Sequence, residues 1–84
     1  MELQDAILTQ HALELMALRQ ISEDTVLDVL FTPEQVLPDR PGRVVAQSIR
    51  GGYLLRVFVD VDRDPPEVVT AYRTSNIAKY WSQS

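Results

Sequence analysis

Two apolar stretches, Arg43 to Arg50 and Tyr53 to Asp60, are rich in Val, Leu, Ile, Tyr and Phe and are separated only by Gly51-Gly52. A glycine pair readily supplies the positive φ angles of a tight turn, and the flanking residues favour extended backbone, so this spacing predicts a hairpin. Val68 to Arg73 predicts a third strand. It starts after a turn over Asp62 to Pro66, because Pro65 and Pro66 cannot donate to a ladder.

Before the hairpin the period changes. From Leu3 to Arg19, apolar residues recur at Leu8, Ala12, Leu15 and Met16, the three-to-four spacing of an amphipathic helix. Ser22, followed by Glu23 and Asp24, predicts the capped start of a second helix that buries Val26, Leu27, Val29 and Leu30 and stops near Phe31. Thr32-Pro33-Glu34 reads as a single capped turn. Two prolines and a glycine within Pro38-Asp39-Arg40-Pro41-Gly42 predict a loop. Ser75 is placed to cap a last short helix, with Ile77 and Trp81 on its inner face and Lys79 turned to solvent. The expected architecture is a single α+β domain over residues 1–84. In it, two N-terminal helices pack on a three-stranded antiparallel sheet and a short C-terminal helix follows.

At 84 residues there is no room for a second domain. With no cysteine and one histidine, neither a disulfide framework nor a zinc site is expected, and no metal or cofactor is assigned. No apolar run approaches membrane-spanning length and the Met-Glu-Leu-Gln-Asp start has no basic segment. The expectation is therefore a cytoplasmic chain without membrane contact. Eight basic residues against 12 acidic ones, a net charge of −4, argue against nonspecific nucleic-acid affinity. The split is uneven: residues 1 to 35 carry seven acids and one base, while residues 36 to 84 carry five acids and seven bases. That asymmetry either leaves a basic surface on an acidic protein or follows from helices tolerating Glu while strands prefer Arg.

A triad hydrolase and a P-loop enzyme are excluded, since there is no phosphate-cradling glycine loop, no nucleophile elbow and no histidine near Ser48. What remains is cationic and aromatic. His11 and Arg19 lie two turns apart on one helix face, fit to hold a phosphate, or else to be satisfied locally by backbone and carboxylate partners. Tyr72 and Arg73 point to opposite faces of their strand. With the ring the cheaper group to bury, Arg73 is expected on the open face, where Arg50 or Arg56 joins it to grip phosphate oxygens or to pair with acids. Trp81 either stacks a nucleobase or closes the core as a lid.

The segment His11-Ala12-Leu13-Glu14-Leu15-Met16-Ala17-Leu18-Arg19-Gln20-Ile21-Ser22 carries a resemblance, together with the Pro33-Glu34 turn, the Gly51-Gly52 hairpin and Ala71-Tyr72-Arg73-Thr74-Ser75-Asn76-Ile77-Ala78-Lys79-Tyr80-Trp81. It resembles the bacterial and cyanobacterial domain of unknown function (DUF) 4258 family, which is similar to BrnT-type and RelE-type toxins. The resemblance implies a RelE-superfamily-like sheet and a metal-independent ribonuclease. It also implies an antitoxin protein, RNA or ribosome-bound RNA, or a second copy of the chain as partners. By position, Arg73 would hold the phosphate, His11 or Tyr72 would move protons, Arg19 and Lys79 would assist, and Arg50 and Arg56 would contact RNA. Proton transfer of this kind is worth roughly 10² to 10⁴ in rate. Leu15, Gln20 and Asn76 stand where the family resemblance implies arginine, glycine and lysine, which weakens the cationic site and makes a degenerate nuclease one expectation. A module binding protein through its sheet edge or acidic helices is the other. An intact site would bring His11 and Arg73 into one cleft.

Overall fold

The computed structural model describes residues 2–83. A 3₁₀ turn at Leu3–Asp5 leads into strand β1 (Ile7–Leu8), helices α1 (Gln10–Leu18) and α2 (Glu23–Phe31), and strands β2 (Gln35–Arg40), β3 (Arg43–Arg50), β4 (Tyr53–Asp60) and β5 (Glu67–Thr74). Helix α3 (Ile77–Tyr80) follows. The sheet has five strands in the order β1-β5-β4-β3-β2. β1 runs parallel to β5 through two residue pairs, and all other pairs are antiparallel.

The β3–β4 hairpin forms where the glycine pair predicts it. Gly51 and Gly52 take φ of 58° and 84° and bring Arg50 opposite Tyr53. The three-stranded antiparallel sheet, however, is corrected to five strands in a mixed sheet, for two local reasons. At the N-terminus helix starts only at Gln10, because Thr9 is the N-cap: its Oγ1 accepts the Ala12 N–H at 3.1 Å and donates to the Val68 carbonyl at 2.9 Å. That tie, with the Ile7 N–H on the Pro66 carbonyl at 2.9 Å, turns two residues of the expected helix into β1. Between α2 and β3, Gln35–Arg40 pairs as β2, so that the first three residues of the expected loop are strand instead, with Pro38 opposite Val44. Proline lacks a ladder donor, but on an edge strand the missing N–H faces away from the sheet, and the register shifts immediately after it. The last helix is preceded by Asn76 rather than capped by Ser75, and Thr74 Oγ1 accepts the Asn76 N–H at 3.0 Å.

One aliphatic core lies between the helices and the sheet. Ala12, Val26, Val29, Ala46, Val57, Val59, Val68 and Ala71 are fully buried in it. Simple alternation along β5 would put Val68 and Ala71 on opposite faces. They share one because the register steps from Phe58 opposite Thr70 to Val59 opposite Val68, leaving Val69 as the extra residue of a bulge. The opposite face carries Val45, Gln47, Leu54, Arg56, Phe58 and Tyr72, and residues 80–82 lie against it.

α1 ends in a Schellman turn. Ile21 N–H bonds the Met16 carbonyl at 2.9 Å and Gln20 N–H the Ala17 carbonyl at 3.2 Å, while Gln20 takes φ of 57°. Ile21 and Met16 both reach the core, so this turn fixes where α2 begins.

Candidate functional site

The bulge that aligns Val68 with Ala71 also carries Arg73 to the helix-covered face, at the end of β5, which corrects the open-face expectation. There it meets two other products of local sequence. The α1–α2 turn presents the Gln20 carbonyl and the Ser22 and Thr25 hydroxyls. The glycine turn presents Arg50 and Tyr53 side by side. These residues line a cleft of about 320 Å³ floored by Ile21 and Leu55. A shallower recess, sharing Thr25 and Arg50 and adding Asp24 and Asp28, adjoins it.

The two guanidiniums differ in how they are held. Arg50 reaches Asp28 at 3.3 Å and Glu34 at 3.8 Å. Arg73 makes one long contact, 3.5 Å to the Gln20 carbonyl, and lies 5.8 Å over the ring of Tyr53, which is 48% exposed. Among the described residues Arg73 has no carboxylate partner. A guanidinium offers five donors in a planar fork, so Arg73 keeps donor capacity for a phosphate or carboxylate. The Ser22 hydroxyl is committed to the α2 cap, accepting the Thr25 N–H at 3.2 Å and sharing a 2.7 Å bond with the Thr25 hydroxyl.

The seven cationic, histidine and tyrosine residues singled out in the sequence occupy four places. Arg73 and Arg50 share the cleft. Arg19 leaves α1 to donate from Nη1 to Thr70 Oγ1 and the Ala71 carbonyl, both at 3.0 Å, and so covers the outer edge of β5. His11 is exposed in the first turn of α1 and does not line the cleft. Tyr72, Arg56 and Lys79 lie on the far side of the sheet: Arg56 Nη1 donates to the Tyr72 hydroxyl at 2.7 Å, and the Lys79 ammonium sits 5.2 Å over the Tyr80 ring. Arg73 and Arg56, expected together, are separated by the sheet because β4 pairs Leu55 with Arg73 and Arg56 with Tyr72. Trp81 is half-buried.

Sequence reasoning missed Tyr53, Gln20, Gln35 and Gln47. Tyr53 was legible as the residue that a two-residue glycine turn must place opposite Arg50. Gln47, fully buried amid aliphatic strand residues, was legible as a polar group in need of partners.

Among the described residues, the ion pair that moves titration lies away from the cleft. The 2.6 Å hydrogen bond between Arg43 Nε and Asp60 Oδ1 holds the Asp60 carboxyl below its usual value and raises Arg43. Among the described residues there is no group of three or more metal-ligating side chains, and no helix is long and apolar enough to cross a membrane.

A family model described as Domain of unknown function (DUF4258) matches residues 8–73, well over half of the chain, with Arg73 as its last matched position. No curated protein matches the chain, and no solved structure does.

Proposed function

We propose, from the premise that this chain belongs to the DUF4258 family, that it is a degenerate toxin-like ribonuclease of the BrnT/RelE type. In this reading it grips an RNA phosphate in the Arg50–Arg73 cleft and cuts weakly or not at all. One observation carries the reading: Arg73, without a carboxylate partner among the described residues, opens onto a cleft that it shares with a second guanidinium and an exposed tyrosine ring. Activating a ribose 2′-hydroxyl near neutral pH calls for a general base within hydrogen-bond reach. Among the described residues the cleft lining holds no histidine, aspartate or glutamate, and His11 lies outside it, which supports binding over turnover.

The test is anisotropy of a short fluorescent single-stranded RNA with the wild-type chain, Arg73→Ala and, as an off-cleft control, Lys79→Ala. Loss of a charge-assisted bidentate contact is worth roughly 1.5–3 kcal/mol, so Arg73→Ala is expected to weaken binding by about 10-fold or more while Lys79→Ala leaves it unchanged. Two phosphate contacts give a log–log salt slope near about −1.4 on single strands. Wild-type affinity that Arg73→Ala does not touch overturns the reading. Brisk metal-independent cleavage that depends on His11 overturns its degenerate half.

A further inference from the structure

The Arg50–Arg73 cleft is open at one end and walled by acids at the other. At the glycine turn, a Cβ placed on Gly51 or Gly52 would meet nothing within 4 Å, so no side chain screens that entrance. Beyond Arg50, the adjoining recess is lined by Asp24 and Asp28, one turn apart on α2. Asp28 meets Arg50 at 3.3 Å, Glu34 stands 3.8 Å from the same guanidinium, and among the described residues Asp24 has no cationic partner. A polyanionic strand running through the cleft and out over α2 would bring its next phosphate against these carboxylates, where like charges repel.

The cleft itself suits a single nucleotide. Its volume of about 320 Å³ is at the low end of cavities that hold small ligands, about 300–1,000 Å³. Two guanidiniums line it, each with up to five donors. A phosphate monoester near neutral pH carries a charge of about −1.5 to −2, against about −1 for a phosphodiester inside a strand, so a terminal phosphate is the better match to two cations. Tyr53 completes the lining: it is half-exposed, lies under the Arg73 guanidinium at 5.8 Å and, among the described residues, meets no other ring. An open aromatic ring beside a cation is a stacking surface for an unpaired base.

We propose that the cleft holds the end of a strand rather than its middle: a terminal phosphate monoester on Arg73 and Arg50, with the unpaired base of the same nucleotide stacked on Tyr53. This rests on the RNA-binding reading of the cleft and narrows it. The strand enters past the glycine turn and stops at the acids of α2. A base paired in a duplex end is already stacked and hydrogen-bonded, so the ring selects single strands. A free nucleoside monophosphate presents the same chemistry, and the experiment separates the two sources.

The full chain is titrated by isothermal calorimetry with unlabelled short single-stranded RNAs of one sequence, bearing a 5′-phosphate, a 3′-phosphate or hydroxyls at both ends, and with nucleoside monophosphates. One phosphorylated strand is expected to bind at least about tenfold more tightly than the hydroxyl-ended strand, the factor that an added charge-assisted contact supplies, and Arg73→Ala is expected to erase the difference. Removing the base of the phosphorylated nucleotide, or Tyr53→Leu, is expected to weaken that strand by about fivefold or more, while Tyr53→Phe retains its affinity. A monophosphate that binds as tightly as the strand identifies free nucleotide as the ligand; a tighter strand identifies the RNA end. Arg73-dependent binding that is equal for all three strands overturns the strand-end inference and leaves the RNA reading standing. Binding of the monophosphate with no Arg73-dependent binding of any strand overturns the RNA reading and keeps the pocket for free nucleotide. Preference for a phosphorylated end that survives both base removal and Tyr53→Leu overturns the role of the ring, and no Arg73-dependent binding of any of these ligands overturns the whole.

Discussion

The two faces of the sheet bury residues of the same strands by opposite means. Toward the helices, Val57, Val59, Val68 and Ala71 meet Ala12, Met16, Val26 and Val29, and the fully buried polar side chain there, Ser48 opposite Leu55, accepts the Glu34 N–H at 3.0 Å. Away from them, Gln47 and Arg56 stand between Val45, Leu54 and Phe58, each satisfied by a named partner. Arg73 and Arg56 make the contrast sharpest. They are neighbours in β5 and β4, yet one opens onto a cleft with spare donors and the other is enclosed by hydrogen bonds and three rings, Phe58, Tyr72 and Tyr80. What covers a strand residue, more than its type, decides whether its charge is available.

The largest effect is expected on the aliphatic face. Met16→Ala deletes a 1%-exposed side chain and should cost about 2–5 kcal/mol in denaturant unfolding; a loss under about 1 kcal/mol would mean that the helix pair is not what stabilises the sheet. On the polar face, Gln47→Ala removes less volume but strands Arg56 Nε and the Tyr80 carbonyl. The expected cost is about 1–3 kcal/mol, accompanied by a red shift of Trp81 that Met16→Ala does not produce before global unfolding. Similar spectra for the two variants would erase the distinction between the faces.

The Arg43–Asp60 pair, at the far end of the polar face, gives a smaller and pH-dependent effect. Its side chains are 20% and 14% exposed, and Asp60→Asn should cost about 0.5–1.5 kcal/mol at neutral pH. Because folding lowers the Asp60 carboxyl value, its contribution is complete above the unfolded-state value of about 4. It fades as pH falls through the lower folded value, so wild type and Asp60→Asn should converge on acidification. A gap that widens on acidification would contradict the sign. Smallest is a gain: Gln20→Gly relieves a side chain at φ of 57° in the Schellman turn and should stabilise by about 0.5–1 kcal/mol in thermal unfolding.

Much of the secondary structure was legible because it rests on local chemistry. The glycine pair announces the β3–β4 turn, Ser22 announces α2, and the apolar period over Ala12, Leu15 and Met16 announces α1. The strands that escaped notice are those whose backbone partners are remote. Ile7 and Leu8 pair with Glu67 and Val68, at the other end of the chain, and nothing in their own sequence separates them from a first helical turn. Gln35 to Arg40 contains a proline that argues against pairing until an edge position makes its missing N–H harmless.

The amino-acid sequence by itself determined the mixed α+β composition, the hairpin, the helix pair with its Ser22 cap and the presence of arginines in the strand half. Which of those arginines face one another was decided only by tertiary structure. A single extra residue, Val69, inverts the alternation of β5 and sends Arg73 to the helical side while Arg56 stays on the other. The reason is geometric: side chains alternate with a period of two, so one bulge exchanges every later residue between faces. The bulge lies where β5 passes from residues that pair with both β1 and β4, Glu67 and Val68, to residues that pair with β4, contacts that the residues of β5 taken alone do not display.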